Sequence, residues 1–368
     1  MAAQWLAGPQ RPLTRFGETP IFAEGLYRIA QDSYAWMVPN GSWGETNIGL
    51  LDCGGESVLI DTCWDLRFTS EMLKMMQPIT GSAPITCVIN THADGDHCWG
   101  NQLFAQSTII ASKACVDHIH HTSPLAMTAM QHVGRLSRHL PIRTLSNFGH
   151  YMNEMLEPYD FRGIRVRPAT ETFEQQKLLN VKGVELLLME VGPGHTDGDI
   201  IVYMPERRVA YTGDILFAGS TPVAWAGPVE NIVRGLQKLM ELDVDVLVPG
   251  HGPLATHAMV KQQIDYWDFL QEHLHLACQR GIAPQHAVHE LLLSSRFKDT
   301  PFAKWDSPER AISSAFTLYR HWGFELPALP GKLGILNVMR HQAGMAMCMP
   351  HATPSAMHCR NPKLLQGR

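Results

Sequence analysis

The segment INTHADGDHCWGN (89–101) places His92, Asp94, Asp96 and His97 within six residues, directly after an apolar run. Imidazole nitrogens and carboxylate oxygens are ligands for divalent metals, and Gly95 lets the backbone turn so that several of them converge. Three later positions have the same character: His195 in VGPGHTDGD, Asp214 in YTGD and His251 in VPGHGP. Each follows or ends a run with strand character and sits beside Gly or Pro, so all three can project from the sheet edge that carries the first loop. Such a set can hold divalent cations, which activate water or polarise a substrate oxygen, and the chemistry then needs no Ser or Cys nucleophile.

The elements that must position these residues read as two β-rich halves. GLYRIA, YAWMV, NIGLLD and SVLIDT, between Gly25 and Thr62, are short runs separated by turn residues, as in an antiparallel meander. Leu66 to Gln77 has the spacing of an amphipathic helix, and ITCVINT (85–91) and STIIAS (107–112) read as buried strands. Residues 113–160 read as a helical insertion beside the site. Strand character returns at VELLLMEV (184–191), DIIVYMP (199–205) and RVAYTGD (208–214); a helix near 230–242 then leads into VDVLVPG (244–250). Helical spacing follows over His257–Arg280, Pro284–Ser295 and Pro308–Gly323. From Leu329 to Arg368 no period is visible, and this tail is expected to be disordered.

The 368 residues are 45% hydrophobic and 18% charged, enough for a large core. Thirty Lys and Arg stand against 35 Asp and Glu, a net charge of -5, and no basic stripe suits a phosphate backbone, so nucleic acid is not an expected partner. No apolar run approaches the ~20 residues of a membrane span, and the N-terminus lacks a signal-peptide core. The expectation is a soluble, cytoplasmic protein acting on a small molecule, with homo-oligomerisation left open. Eight scattered cysteines without CxxC pairs argue against a disulfide framework.

Taken together, these residues resemble the metallo-β-lactamase superfamily, whose pattern is HxHxDH followed by a separated His, Asp or Cys, and His. The likeness covers about residues 20–255 and includes VLIDT (58–62), with a structural Asp61, and GHTDGDIIVYMPERRVAYTGDILF. It implies an α/β fold, a four-layer αββα sandwich with the metal site at one edge between the sheets. The implied organisation is an N-terminal extension (1–19), the main domain (20–255), a packed C-terminal helical segment (256–328) and the tail (329–368). The resemblance assigns His92 and His195 to a first metal position, Asp96, His97 and His251 to a second, and Asp214 to the bridge. Two divalent ions are implied, with zinc the first expectation and iron or manganese compatible with the donors.

Asp94 departs from the family pattern, giving HxDxDH. A carboxylate there either adds a hard oxygen ligand to the first position or accepts a proton from the attacking water. The flavodiiron proteins resemble the loop in carrying a carboxylate there, a Glu. The resulting expectation is a metallo-hydrolase in which a metal-bridging hydroxide attacks an ester, amide, lactone or related substrate, with Asp94 and Asp96 as the catalytic carboxylates. A non-haem diiron oxygenase or oxidoreductase, and a non-catalytic metal-binding or interaction protein, are the alternatives. Trp64, Trp99 and Trp225 are read first as packing residues and second as pocket walls. Cys98 reads as a buried thiol, and His118, His120 and His121 as a solvated cluster. The soft donors of MAMCMPH (345–351) and MHC (357–359) are read as part of the disordered tail.

Overall fold

The structure, a computed structural model, describes residues 3–326, 332–349 and 352. Two sheets stack face to face. The first has eight strands in chain order, β1 (Gln4–Ala7), β2 (Gly25–Ala30), β3 (Ser33–Met37), β4 (Ile48–Asp52), β5 (Ser57–Ile60), β6 (Ile85–Ile89), β7 (Thr108–Ser112) and β8 (Glu171–Phe173). Pairing is antiparallel from β1 to β5 and parallel from β5 to β8. The second sheet runs β13-β12-β11-β10-β9, from β9 (Gln176–Val181), β10 (Val184–Glu190), β11 (Ile200–Met204), β12 (Val209–Tyr211) and β13 (Val246–Val248). Only β12 and β13 pair in parallel there, and the helix α6 (Val229–Glu241) makes the crossover between them.

Alternation along the strands explains the layers. Ala35, Met37, Leu51, Val58 and Ile60 face Leu186, Leu188, Val202, Val209 and Val248 between the sheets. Their neighbours Tyr34, Trp36, Leu50 and Leu59 point the other way and join the core built with helix α1 (Leu66–Thr80), through Phe68, Met72 and Met76. On the second sheet Met189, Ile201 and Ala210 join Ile232, Leu236 and Leu239 of α6. Helices therefore cover both outer faces, which is the αββα sandwich.

The remaining helices are α2 (Gly95–Cys98), α3 (Lys113–His118), α4 (Pro124–Ser137), α5 (Arg143–Leu156), α7 (His257–Gln279), α8 (Pro284–Leu293), α9 (Ser295–Lys298), α10 (Ala311–His321) and α11 (Lys332–Ala346). Three features differ from the sequence reading. The N-terminal extension contributes β1, which pairs with β2 as an edge strand. The edge strands β8 and β9 lie in a stretch that carried no strand reading; β9 alternates exposed and half-buried positions in QKLLNV, and β8 has only three residues.

The third difference corrects the disordered tail. Over Lys332–Ala346 the chain is helical, and α11 packs on α5 and α10. Met339, Ala343 and Ala346 are buried, and Gln342 donates to Tyr151 Oη at 2.8 Å while accepting from Ser313 Oγ at 2.6 Å. Polar and small residues at the contact hide the periodicity, because their burial depends on partners far away in sequence. Of the MAMCMPH donors, Met345 and Met349 are buried and Cys348 is exposed; Pro350, His351 and residues 357–359 lie outside the described residues. Among the described residues no helix is long and apolar enough to cross a membrane.

Candidate metal centre

The seven residues singled out in the sequence meet beyond the strand ends at one edge of the sandwich. His92 follows β6, and α2 carries Asp96 and His97, with Asp94 at its N-cap. His195 lies between β10 and β11, Asp214 in a 3-10 turn (Gly213–Ile215) after β12, and His251 after β13. Backbone bridges tie His251 to Thr46 and to Phe217, closing the edge between the sheets.

Asp214 is the hub. Its Oδ1 is 3.2 Å from His97 Nε2; its Oδ2 is 3.2 Å from His195 Nε2, 3.4 Å from His251 Nε2 and 3.9 Å from His92 Nε2. Asp94 Oδ2 lies 3.2 Å from His195 Nε2 and 3.9 Å from His92 Nε2, while Asp96 Oδ2 is 3.6 Å from His251 Nε2. Three groupings with converging donor atoms result: His92, Asp94 and His195; His92, His97 and Asp214; and Asp96, His97 and His251. The four imidazoles and Asp214 are buried, but the Asp94 and Asp96 side chains are 30% and 16% exposed, so solvent reaches the centre past these two carboxylates.

Every imidazole is held by its other nitrogen. Nδ1 of His92 meets Thr91 Oγ1 at 2.9 Å, that of His97 meets Asp61 Oδ2 at 2.9 Å, that of His195 meets the Val223 carbonyl at 2.8 Å, and that of His251 meets the Glu45 carbonyl at 3.1 Å. An acceptor at Nδ1 places the proton there, which leaves the Nε2 lone pair free to face the centre. Asp61 also accepts from Thr91 N and Oγ1, both at 2.7 Å, so one carboxylate steadies two of the rings. It adopts a left-handed backbone, φ 66°, where β5 ends. Thr46 Oγ1 donates to Asp96 Oδ2 at 3.0 Å.

These donors suit a divalent cation. Nε2 of His92, Nε2 of His97 and Oδ1 of Asp214 are buried without a hydrogen-bond partner, a costly state that a coordinated cation relieves. The electrostatics agree. Burial and the charge of His97 hold the His92 imidazole well below its usual range. Burial also pulls on His97 and His195, but Asp214 and the carboxylates Asp61 and Asp94, respectively, outweigh it; His97 rises well above its ordinary value and His195 to about 9. Burial would raise Asp214, yet His251, His97 and His195 hold it well below the carboxylate range.

The other residues noted in the sequence lie outside this arrangement. Trp64 and Trp99 are buried in an aromatic cluster with Tyr159 and Phe161, and Trp99 packs so closely under Gly95 that a Cβ there would lie 2.5 Å from its ring. Trp225 is half-buried and its backbone N–H donates to the His195 carbonyl. Burial raises the Cys98 thiol well above its usual value, so it is no thiolate nucleophile. His118 faces Asp197, and His120 and His121 are exposed. The sequence reading passed over Thr46, Thr91 and Phe217, whose ring stacks on His251 with centroids 5.2 Å apart and 4° between planes. Thr91 and Phe217 were visible only as neighbours of the motifs.

A sequence model of the metallo-beta-lactamase superfamily matches residues 41–251, more than half of the chain and the whole span from the first turn of the site to its last histidine. The chain belongs to the metallo-beta-lactamase superfamily. Among similar proteins, an acyl-coenzyme A thioesterase, MBLAC2 of Gallus gallus, is 23% identical over 254 residues, 64% of this chain and 80% of that one. The alpha subunit of 2,4-dinitroanisole O-demethylase from Nocardioides sp. (strain JS1661) is 31% identical over 107 residues, but the match spans only 27% of this chain and 31% of the subunit. The stereoselective inverting sec-alkylsulfatase Pisa1 from Pseudomonas sp. superposes with a TM-score of 0.63 at 17% identity, over 86% of this chain and 54% of the sulfatase; this likeness is one of fold.

Proposed function

We propose that the protein is a metal-dependent hydrolase of small molecules whose centre takes two divalent ions. His92, Asp94 and His195 would hold one and Asp96, His97 and His251 the other, with Asp214 between them. The observation that carries this reading is the ring of four Nε2 atoms around one carboxylate, each imidazole anchored through Nδ1. Held by these residues, divalent ions would supply water activation and polarisation of a substrate oxygen.

The chain's own residues do the rest. Asp214 fixes the spacing of the two halves of the site, and Thr46 orients Asp96 through the hydrogen bond to its Oδ2. Asp94 and Asp96 are the carboxylates of the site open to solvent, and either could take the proton of an attacking water. Carbonyl esters and thioesters are the first substrates to try, because a relative whose length this chain largely spans is named a thioesterase. Zinc is the first metal expected.

A second reading has one supporting observation. Asp94 Oδ2 lies 3.2 Å from His195 Nε2, so the first position carries a hard anionic donor that suits iron, and with it oxidoreductase chemistry. The test is metal content of protein produced without supplementation, followed by thioester, ester and lactone hydrolysis assays and an oxygen electrode. Two equivalents of metal with turnover of one of these substrates is the expected result; iron with substrate-dependent oxygen uptake and no hydrolysis would replace it by the second reading.

A further inference from the structure

The C-terminal helical segment brings a buried cation, Arg310, against the Phe217 ring at the edge of the site. Arg310 ends a 3-10 turn (Pro308–Arg310) ahead of α10 and is 2% exposed. Among the described residues it forms no ion pair; its terminal nitrogens reach only the carbonyls of Thr221 and Gly41, both at 3.4 Å, and Nε has no partner. The adjacent Glu309 accepts instead from Tyr151 Oη at 3.1 Å. A guanidinium offers five N–H donors in a planar fork, and burying it without an anion is strongly unfavourable.

Two more buried donors lie one residue along the chain from the carbonyls that Arg310 reaches. Ser42 Oγ and Ser220 Oγ have no hydrogen-bond partner, and each serine adjoins a residue whose carbonyl Arg310 touches, Gly41 and Thr221 respectively. The guanidinium carbon lies 5.9 Å from the centroid of Phe217, and that ring stacks on His251 and stands edge-on to His195 at 5.8 Å. One aromatic ring thus separates the unsatisfied cation from two imidazoles of the centre.

We propose that Arg310, with the hydroxyls of Ser42 and Ser220, binds an oxyanionic group of the substrate, a carboxylate, while the electrophilic carbon of the same molecule sits at the metal centre. The planar fork matches a carboxylate through two parallel hydrogen bonds, and the hydroxyls supply further donors. The assignment of the ligand as substrate rests on the hydrolase reading above; the anion site itself does not. A purely structural Arg310 would instead stabilise the fold, so its loss would cost stability and leave anion binding as it was.

The test titrates zinc-loaded and chelator-stripped protein with acetate and with inorganic sulfate, by calorimetry and by thermal unfolding, for wild type, Arg310→Met, Arg310→Lys and Ser220→Ala. Wild type is expected to bind acetate in both metal states. Arg310→Met should weaken acetate binding about tenfold or more, keep its zinc stoichiometry, and melt in the absence of anion no lower than wild type, because an unpaired buried charge has been removed. Arg310→Lys should fall between them. Ser220→Ala, which removes one hydroxyl and no charge, should weaken acetate binding severalfold and does not depend on whether the arginine variants fold. Acetate binding that survives unchanged in Arg310→Met or Ser220→Ala, binding seen only with zinc present, or a site that takes sulfate and not acetate would each overturn the proposal. Failure of wild type to take up zinc would count against the metal centre instead, and the stripped protein would still decide the anion site.

Discussion

A Cβ built on Gly250 would lie 1.9 Å from Oδ1 of Asp214, inside any permitted contact. The glycine before His251 is therefore the space that the central carboxylate occupies. Gly250→Ala is expected to push Asp214 out of the centre while leaving the sheets intact, so metal affinity should fall roughly 10–100-fold, the range for groups that orient metal ligands. Metal titration alongside far-ultraviolet circular dichroism checks this; unchanged affinity would mean that Asp214 is not a central ligand.

Asp61 supports two imidazoles without facing the centre itself, through His97 Nδ1 and Thr91. Asp61→Ala should lower metal affinity by about 10–100-fold and also lower stability, since φ 66° is disfavoured for a residue with a Cβ and no local hydrogen bond. Asp61→Asn keeps an acceptor for Thr91 and should do less harm. Equal effects of the two substitutions in a metal-binding titration would contradict the role assigned to the carboxylate.

Asp94→His restores the HxHxDH spacing. Because Asp94 approaches His195 within 3.2 Å, the imidazole replaces a hard oxygen by a borderline nitrogen at the first position and should raise zinc uptake relative to iron at equal free-metal concentrations. The ratio measured by elemental analysis decides it: identical ratios in the two proteins would remove Asp94 from the coordination sphere and with it the case for iron chemistry.

Helix α11 closes on the insertion through Gln342, whose amide serves Tyr151 and Ser313. Ending the chain before Lys332 should expose Met339 and Ala343 and leave Tyr151 Oη without one partner, giving a protein that melts lower and aggregates. Gln342→Ala isolates the polar part and is expected to cost about 1–3 kcal/mol in denaturant unfolding. A truncated protein with the wild-type melting temperature would show that this helix does not contribute to the core.

His341 on the same helix is held down to about 4 by burial and by the neighbouring Arg340 and His286. Its folded pKa lies below its unfolded value, so the neutral ring contributes stability that is fully present above the ordinary histidine range and is lost as pH falls through about 4. His341→Phe, which can keep the stack on Phe316, should flatten the drop in stability between pH 6.5 and 4; a pH series of urea midpoints with the same slope in both proteins would show that another group drives it.

Local sequence determined the chemistry of this protein more than its packing. His92, Asp94, Asp96 and His97 fall within six residues and His195, Asp214 and His251 each follow or end a strand, so donor types and their arrival at one sheet edge could be read from spacing alone. The strands were legible as short apolar runs between turn residues, but β3, β4 and β5 are buried along almost their whole length, so their pattern did not choose among layered α/β folds; the sandwich followed from the family resemblance. What the tertiary structure decided is everything that depends on contacts between distant segments. The acceptors at Nδ1 of His195 and His251 are backbone carbonyls, which every residue has and no motif marks. Helix α11 shows small and polar residues at its interface, and its burial follows from α5 and α10. Arg310 is one of 30 Lys and Arg in the sequence; it becomes distinctive because the fold buries it beside Phe217 and, among the described residues, it forms no ion pair.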